Sequence, residues 1–385
     1  MPTSSLKANA MRLIVCFGLV SMFADMTYEG ARSITGPFLG SLGASASAVA
    51  FLAGLGELLG YGLRFFSGIL ADRTRSYWLL TMLGYGVNVV AVPLMAIAPS
   101  WEMVALLVVL ERTGKSLRAP ARDVMLSNAA SEVGTGWGFG LHAAMDQLGA
   151  FIGPLFVAAT YARTQDYRFA LGWLVIPALC AMAALYFAWA SFPQAGVVAP
   201  SNDHPEDQAR RPREFWIYMF AAGCVAAGFV DFALAGFHMS QSIAGGMIPI
   251  YYAGAMAMNA FSALALGRLY DRFGLIVLPM AIVVASLAVP CLFWGWSLWG
   301  AVALWGFGMG AFDSVLKAGV AKLAPMHKRG AAYGIFNGVF GILWFAGSSL
   351  MGQLYGGPWL VWFGLGMQSL GALLFLWLAL HQREA

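Results

Sequence analysis

The chain has 385 residues, of which 60% are apolar and 10% are charged, and a formal net charge of +4. Ordinary soluble domains carry roughly 25% charged residues, so this composition excludes a dispersed soluble protein. A membrane-crossing helix needs about 20 mostly apolar residues, so the length admits about a dozen spans and leaves no separate soluble domain.

Apolar segments lie near 11–36, 46–69, 77–97, 103–121, 138–161 and 169–191, then near 215–238, 247–267, 275–296, 299–321, 331–354 and 358–380. The predicted fold is therefore an all-α integral membrane protein of twelve transmembrane helices in two six-helix bundles. The first apolar run contains Asp25, Glu29 and Arg32. The apolar region of a signal peptide is short and uncharged, so this run is predicted as the first transmembrane helix. Pro200–Glu214 reads PSNDHPEDQARRPRE, without apolar periodicity, as a solvated linker does. The expected division is a first bundle over 1–193, a cytoplasmic linker over 194–214 and a second bundle over 215–385.

With the N-terminus inside, the cytoplasmic connections hold Lys7, Arg73, Arg75, Arg122, Arg210, Arg211, Arg213, Arg272, Lys328 and Arg329. The outer connections hold only Arg163 and Arg168. Lys and Arg collect on the cytoplasmic side of short loops, so both termini are expected to be cytoplasmic, in a cell inner (plasma) membrane. The four cysteines, Cys16, Cys180, Cys224 and Cys291, fall within apolar spans and are expected to behave as small buried hydrophobes. No metal-ligand cluster and no GxxxxGK[ST] phosphate loop occurs in the sequence. Neither a metal or other cofactor nor direct ATP drive is expected, and no nucleic-acid partner.

An ionisable group at a helix centre costs about 2.5–3.5 kcal/mol on insertion scales, which makes each one a functional candidate. Asp25, Glu29 and Arg32 share one face of span one, and Glu57 lies near the middle of span two, with Arg64 nearer its end. Span four carries Glu111, Arg112, Lys115 and Arg118. His142 and Asp146 sit four apart in span five, Asp231 belongs to span seven, and Asp313 and Lys317 to span ten. Spans three, six, nine and twelve have no ionisable residue in their interiors, as expected of a lipid-facing shell around the charged spans. Glu111 with Lys115, and Asp313 with Lys317, have the spacing and order of helical ion pairs. Arg64, Arg118 and Arg122 are placed to snorkel toward the cytoplasmic edge. The second half is richer in rings: Phe229, Phe232, Tyr251, Tyr252, Trp305, Phe312, Phe336 and Trp344, with Asn259 and Asn337 nearby. Such walls suit amphipathic ligands, although most rings in a membrane bundle are packing.

Gly68-Ile-Leu-Ala-Asp72-Arg73 closes span two, and Gly267-Arg-Leu-Tyr-Asp271-Arg272 closes span eight. Recurrence at one topological position in both halves marks an internal repeat of the kind found in transporters. The segment resembles the loop signature of the major facilitator superfamily, and the second copy, followed by Phe273-Gly274, resembles its C-terminal echo. The resemblance implies the twelve-helix fold of that superfamily and a gating role for Gly68, Asp72, Arg73, Gly267, Asp271 and Arg272. Arg75 stands where the family usually has Gly. Gly140, Gly149, Gly153 and Pro154 in span five resemble the helix-packing motif of the proton-linked efflux permeases, with Val157-Ala158 in place of its final glycines. Arg112 resembles the arginine of the family's fourth-span motif, with Ser116 in place of a Gly.

The expected function is secondary transport by alternating access: proton-coupled export of a small amphipathic organic metabolite or drug-like compound. Asp25, Glu29, Glu57, Arg112, Lys115, Asp146, Asp231 and Asp313 are the candidate coupling and substrate residues. Asp25 and Glu57 would carry the proton and Arg112 would be their conditional partner, since a carboxyl kept from water can hold a proton near neutral pH. The driving force would be the proton gradient, with sodium the other ion these acids suit. The partners would be a small-molecule substrate and the lipid bilayer, and the chain a monomer by family expectation. Two other readings stay open: proton symport of an organic anion held by Arg112 and Lys115, and a non-transporting assembly or sensor protein on the same bundle.

Overall fold

The computed structural model describes residues 4–196, 213–323 and 329–381. Most of the predicted linker, with Arg210, Arg211 and Lys328, lies outside the described residues. No strand occurs among those described. Twelve helical segments follow one another: α1 Ser4–Ser41, α2 Ala46–Thr74, α3 Tyr77–Leu94, α4 Trp101–Val133, α5 Thr135–Thr164 and α6 Tyr167–Trp173 with Val175–Ser191. The second half continues with α7 Arg213–Gly228 with Phe232–Met239, α8 Met247–Phe273, α9 Val277–Ser286 with Ala288–Phe293, α10 Leu298–Ala311 running on to Leu323, α11 Arg329–Gln353 and α12 Trp359–His381.

Among the described residues, nine stretches are long and apolar enough to cross a membrane, and one of them, Met247–Phe293, contains both α8 and α9. The segments outside those nine are α4 and α10. For α4 the cause is plain, because Glu111, Arg112, Lys115 and Arg118 interrupt its apolar sequence. The four segments without internal charge expose apolar ridges at helical spacing: Leu79, Leu83, Val87 and Val90 on α3, Val175, Ile176 and Leu179 on α6, Met280, Val283 and Val284 on α9, and Leu370 and Leu373 on α12. Ridges of this kind suit a surface solvated by lipid tails.

The chain packs as two compact units, one of Met1–Arg32 with Leu63–Asp207 and the other of Ser33–Gly62 with Gln208–Ala385. In the first, α3 and α4 cross with backbones nearly touching. A Cβ at Gly84 would meet Gly114 O, and one at Gly114 would meet Gly84 O and Asn88 N. Arg168, one of the two cations expected in outer connections, donates from Nη1 to Ala96 O at 3.0 Å and Ala98 O at 2.6 Å. It thereby closes the carbonyl end of α3, a structural use that accounts for a cation at that position. In the second unit the C-terminal end of α1 runs against α7, where a Cβ at Gly36 would strike Ala233 O. The start of α2 likewise lies on α11, with Ser47 Oγ donating to Gly352 O at 3.0 Å.

α7 is broken between Gly228 and Phe232. The break is stable because its polar groups find partners: Gln368 Nε2 donates to Gly228 O at 2.8 Å and Trp305 Nε1 to Val230 O at 2.8 Å. Asp231 caps the following turn by accepting from Ala233 N at 2.9 Å. A broken helix inside a membrane is tolerated only where freed groups are satisfied in this way. α10 contains a π-helical turn at Phe312–Leu316, and the hydroxyls of Tyr218 and Tyr333 donate to Leu316 O and Lys317 O at 2.8 and 3.0 Å.

The ends of α2 and α8 explain the departure at Arg75. Seven residues past Gly68 the chain takes φ +51° at Arg75, and seven past Gly267 it takes φ +71° at Gly274. Each backbone N–H caps the preceding helix, Arg75 N bonding Ala71 O and Gly274 N bonding Tyr270 O. The conformation suits glycine, and Arg75 adopts it under strain. Arg75→Gly is expected to stabilise the protein by up to about 1 kcal/mol, and Gly274→Ala to destabilise it by about 1–3 kcal/mol. Thermal unfolding in one detergent would read both, as a raised and a lowered midpoint.

Candidate functional site

The ionisable residues of the first unit converge rather than scatter. Asp25, Glu29, Glu111, Arg112, Arg118 and His142 are all buried. α1 presents Ser21, Asp25, Tyr28, Glu29 and Arg32 along one face, because positions three and four apart stack on a helix. α4 presents Glu111, Arg112, Lys115, Arg118 and Arg122 in the same way, and α5 adds His142 and Asp146.

Lys115 is the shared cation. Its Nζ lies 4.0 Å from Glu29 Oε1 and 3.9 Å above the centre of the Tyr28 ring. The Glu111–Lys115 pair expected from spacing is not formed. Glu111 instead contacts Arg112 Nε at 3.2 Å and accepts from Asn88 Nδ2 at 2.8 Å. Asn88 also donates to Glu111 O at 3.1 Å, a reach made short by the Gly84–Gly114 crossing. Arg32 Nη1 approaches Glu29 Oε1 at 4.0 Å. Asp25 is buried on the same face of α1 as Tyr28 and Glu29.

Arg118 and Arg122 find partners within the first unit. Arg118 is buried, with its guanidinium carbon 4.0 Å above the Tyr85 ring. Arg122 donates to Ser21 Oγ at 3.0 Å and to Asp123 Oδ1 at 2.7 Å. The attraction of a stacked ring and a fixed acceptor replaces that of water. Chemically the site is a set of mostly buried carboxylates and cations, with the partly exposed Asp146 at its edge and Lys115 between Glu29 and the Tyr28 ring. Adding or removing one proton changes which pairs are balanced.

Sequence reasoning missed the neutral members: Ser21, Tyr28, Tyr85 and Asn88. For Ser21 and Tyr28 a signal existed, since both lie on the Asp25 face of α1. Tyr85 and Asn88 are on an otherwise apolar helix, and nothing in the sequence aims them at α4.

The other candidates belong to the second unit. Glu57 is buried, and its turn of α2 runs against Gly341 of α11. Asp231 is the helix cap described above. Asp313 lies in the π-helical turn, 3.0 Å from Lys317 Nζ and 3.4 Å from Asn259 Nδ2, so the expected i,i+4 pair is formed here. The rings pack on one another: Phe229 is 4.8 Å from Phe312 and 5.6 Å from both Trp305 and Trp344, and Phe232 is 4.3 Å from Tyr252. Being buried, they form core in this structure rather than an open wall.

Of the repeated loop residues, Asp72, Arg73, Asp271 and Arg272 are exposed, and Arg272 lies 5.2 Å from the Phe273 ring centre. Gly68 and Gly267 have room for a side chain. In α5, Gly149 and Gly153 are closed: an added Cβ would strike the carbonyl oxygens of Met22 and Met26 on α1. Gly140 faces open space, so the packing role predicted for it is not seen. The two closed glycines, with Pro154 beside them, bring α5 onto the stretch of α1 that carries Asp25.

The chain matches the Major Facilitator Superfamily over residues 16–348. It is 42% identical over 364 residues to an uncharacterized protein of Mycobacterium tuberculosis (strain ATCC 25618 / H37Rv), covering 90% of this chain and 87% of that one. Among solved structures it is similar to the nucleoside transporter NupG, with a TM-score of 0.74 and 12% identity over 95% of this chain and 99% of that one. It is also similar to the peptide transporter POT in complex with sulfate, with a TM-score of 0.77 and 13% identity over 97% and 94%. At such identities the likeness concerns the fold.

The α1–α5 contact is testable by volume alone. Gly149→Val and Gly153→Val should each destabilise the protein by about 1–3 kcal/mol through overpacking, and Gly140→Val should cost under about 0.5 kcal/mol. Unfolding midpoints in detergent would rank the three; equal effects would show that α5 does not lie this close to α1.

Proposed function

The chain belongs to the Major Facilitator Superfamily, and from that membership we propose that it exports small amphipathic organic compounds in exchange for protons, by alternating access. The family makes it a multi-pass membrane protein and a secondary transporter rather than an enzyme. The observation that carries proton coupling is the buried Asp25, one helical turn from Glu29, whose carboxylate lies 4.0 Å from Lys115 Nζ. A carboxyl buried among other ionisable groups can hold a proton near neutral pH. Loss of that proton frees an acid for a substrate cation or for Lys115, which Glu29 also engages.

In this reading Asp25 loads the proton, Asp146 shares it, and Lys115 and Arg112 hold the unprotonated acids. Glu57 and Asp313 are the candidate substrate acids of the second unit. Asp72–Arg73 and Asp271–Arg272 act as latches made and broken between access states. The Lys and Arg bias sets both termini in the cytoplasm of a plasma (inner) membrane. One observation favours a second reading, uptake of an organic anion with protons: Arg112, Lys115 and Arg118 all lie in the same cluster, and cations so placed can hold a carboxylate or phosphate.

Substrate-induced proton movement in inside-out vesicles with an imposed pH gradient separates the two. Cationic and neutral amphipathic compounds should collapse the gradient in wild type, and Asp25→Asn should lose that response. Glu57→Gln should alter which compounds elicit it. A response confined to anions, abolished by Arg112→Gln and spared by Asp25→Asn, would replace export with symport. Folded protein that moves nothing across the panel and copurifies with one stable partner would point to the assembly or sensor reading.

A further inference from the structure

Five side chains of the first unit, Asp146, His142, Ser21, Tyr85 and Arg122, form a connected chain of their own. His142 Nδ1 on α5 faces Asp146 Oδ2 at 3.4 Å, the longest link, and His142 Nε2 lies 3.1 Å from Ser21 Oγ on α1. Ser21 Oγ is 3.0 Å from the Tyr85 hydroxyl on α3, and it accepts from Arg122 Nη1 on α4 at 3.0 Å. Ser21, Tyr85 and His142 are buried. Asp146 Oδ1 has no hydrogen-bond partner among the described residues, and the Asp146 side chain is 29% exposed. The charged groups acting on His142 are Asp146 on its own helix and Arg122, Asp123 and Arg118 on α4.

The directions of these bonds follow from counting. A serine hydroxyl has one proton to give and two lone pairs, and a guanidinium only donates. Arg122 therefore occupies one lone pair of Ser21 in every state. The other lone pair and the proton are divided between Tyr85 and His142. With Asp146 ionised and the ring neutral, His142 turns Nδ1–H toward the carboxylate. Its Nε2 is then an acceptor, so Ser21 donates to His142 and Tyr85 donates to Ser21.

Addition of one proton reverses the sequence. With the proton on the ring, an Nε2–H forms beside the Nδ1–H; with it on Asp146, the new O–H faces Nδ1, the Nδ1–H breaks and an Nε2–H forms, so in either case Nε2 donates to Ser21. Ser21 then donates to Tyr85, and the Tyr85 proton loses its acceptor. Ser21 is fully bonded in both states. The cost of the change falls on Tyr85, on the ring that Arg118 covers.

Given a proton-coupled cycle, as proposed above, we infer that His142 and Asp146 form a one-proton site whose loading reverses the hydrogen bonds at Ser21 and so transmits the protonation of α5 to α1 and α3. The site takes up one proton from solvent on the partly exposed Asp146 side of the ring, the imidazole exchanging its N–H protons as the tautomer changes. His142 is a positioning residue, since it acts through Ser21.

The test is nitrogen NMR of the imidazole rings in 15N-histidine-labelled protein in lipid bilayers, from about pH 5 to pH 9, the range over which a histidine is able to switch. Of the 5 histidines, His142→Gln identifies the relevant signal by its disappearance. Wild type should show Nδ1–H neutral ring at high pH and hydrogen on Nε2 at low pH, and Asp146→Asn should shift or remove that transition. A single tautomer throughout in wild type overturns the inference, as does an unaltered transition in Asp146→Asn. The vesicle experiment keeps the two proposals apart. Proton movement without the tautomer change overturns this site alone, and the tautomer change without proton movement overturns proton-coupled export alone.

Discussion

A charge carried into a lipid-solvated bundle has to be met by another charge or by a fixed dipole, and in the first unit that requirement governs how four helices meet. Lys115 cannot be left alone on α4, nor Glu29 on α1, so each determines the rotation of the other's helix. Asn88 answers Glu111 from α3, and Arg118 takes the Tyr85 ring where water is lacking. Removing one member of such a set leaves its partner buried and uncompensated, which is costlier than never having had the pair. The set therefore holds together as a unit, and its balance depends on how many protons it carries.

Polar contacts of this kind need the helix backbones to be close, and glycine provides the closeness. Gly84 and Gly114 let α3 and α4 touch, which places Asn88 within reach of both the carbonyl and the carboxylate of Glu111. Gly149 and Gly153 let α5 rest on the carbonyls of Met22 and Met26. Ser21 is next to the first of these positions and Asp25 next to the second. His142 and Asp146 then reach α1 without long side chains. Without a hydrophobic force between helices in lipid, association relies on such small-residue packing and on hydrogen bonds, and here the two occur within one turn of each other.

The apolar runs located all twelve segments, but the edges were legible only where sequence polarity changes at the membrane surface. α4 was expected to end near residue 121 and continues to Val133, and α8 near 267 and continues to Phe273. Helices run on beyond the hydrocarbon when their backbone bonds remain intact, and hydropathy is blind to that extension. The charged members of the site were legible because each is anomalous in an apolar span. Their pairing was not: i,i+4 spacing pointed Lys115 to Glu111, and the nearer acid across the helix contact was Glu29. The break in α7 and the π-helical turn in α10 were invisible as well. Both depend on donors far along the chain, Gln368, Trp305, Tyr218 and Tyr333, which no local pattern connects to them.

The two units handle polarity in opposite ways. The first neutralises buried charge with charge, and its core keeps several ionisable groups within mutual influence. The second buries rings against rings, and its broken α7 and π-helical turn in α10 are satisfied by neutral donors. Asp231 is committed to capping one of them, and Asp313 stands inside the other with Lys317 beside it. A proton added to the first unit changes the balance of a connected set. One added at Asp313 alters a pair whose carboxylate and ammonium are each at least a third exposed, where solvent screens the change. The physical asymmetry places sensitivity to protonation in α1, α4 and α5 of the first unit.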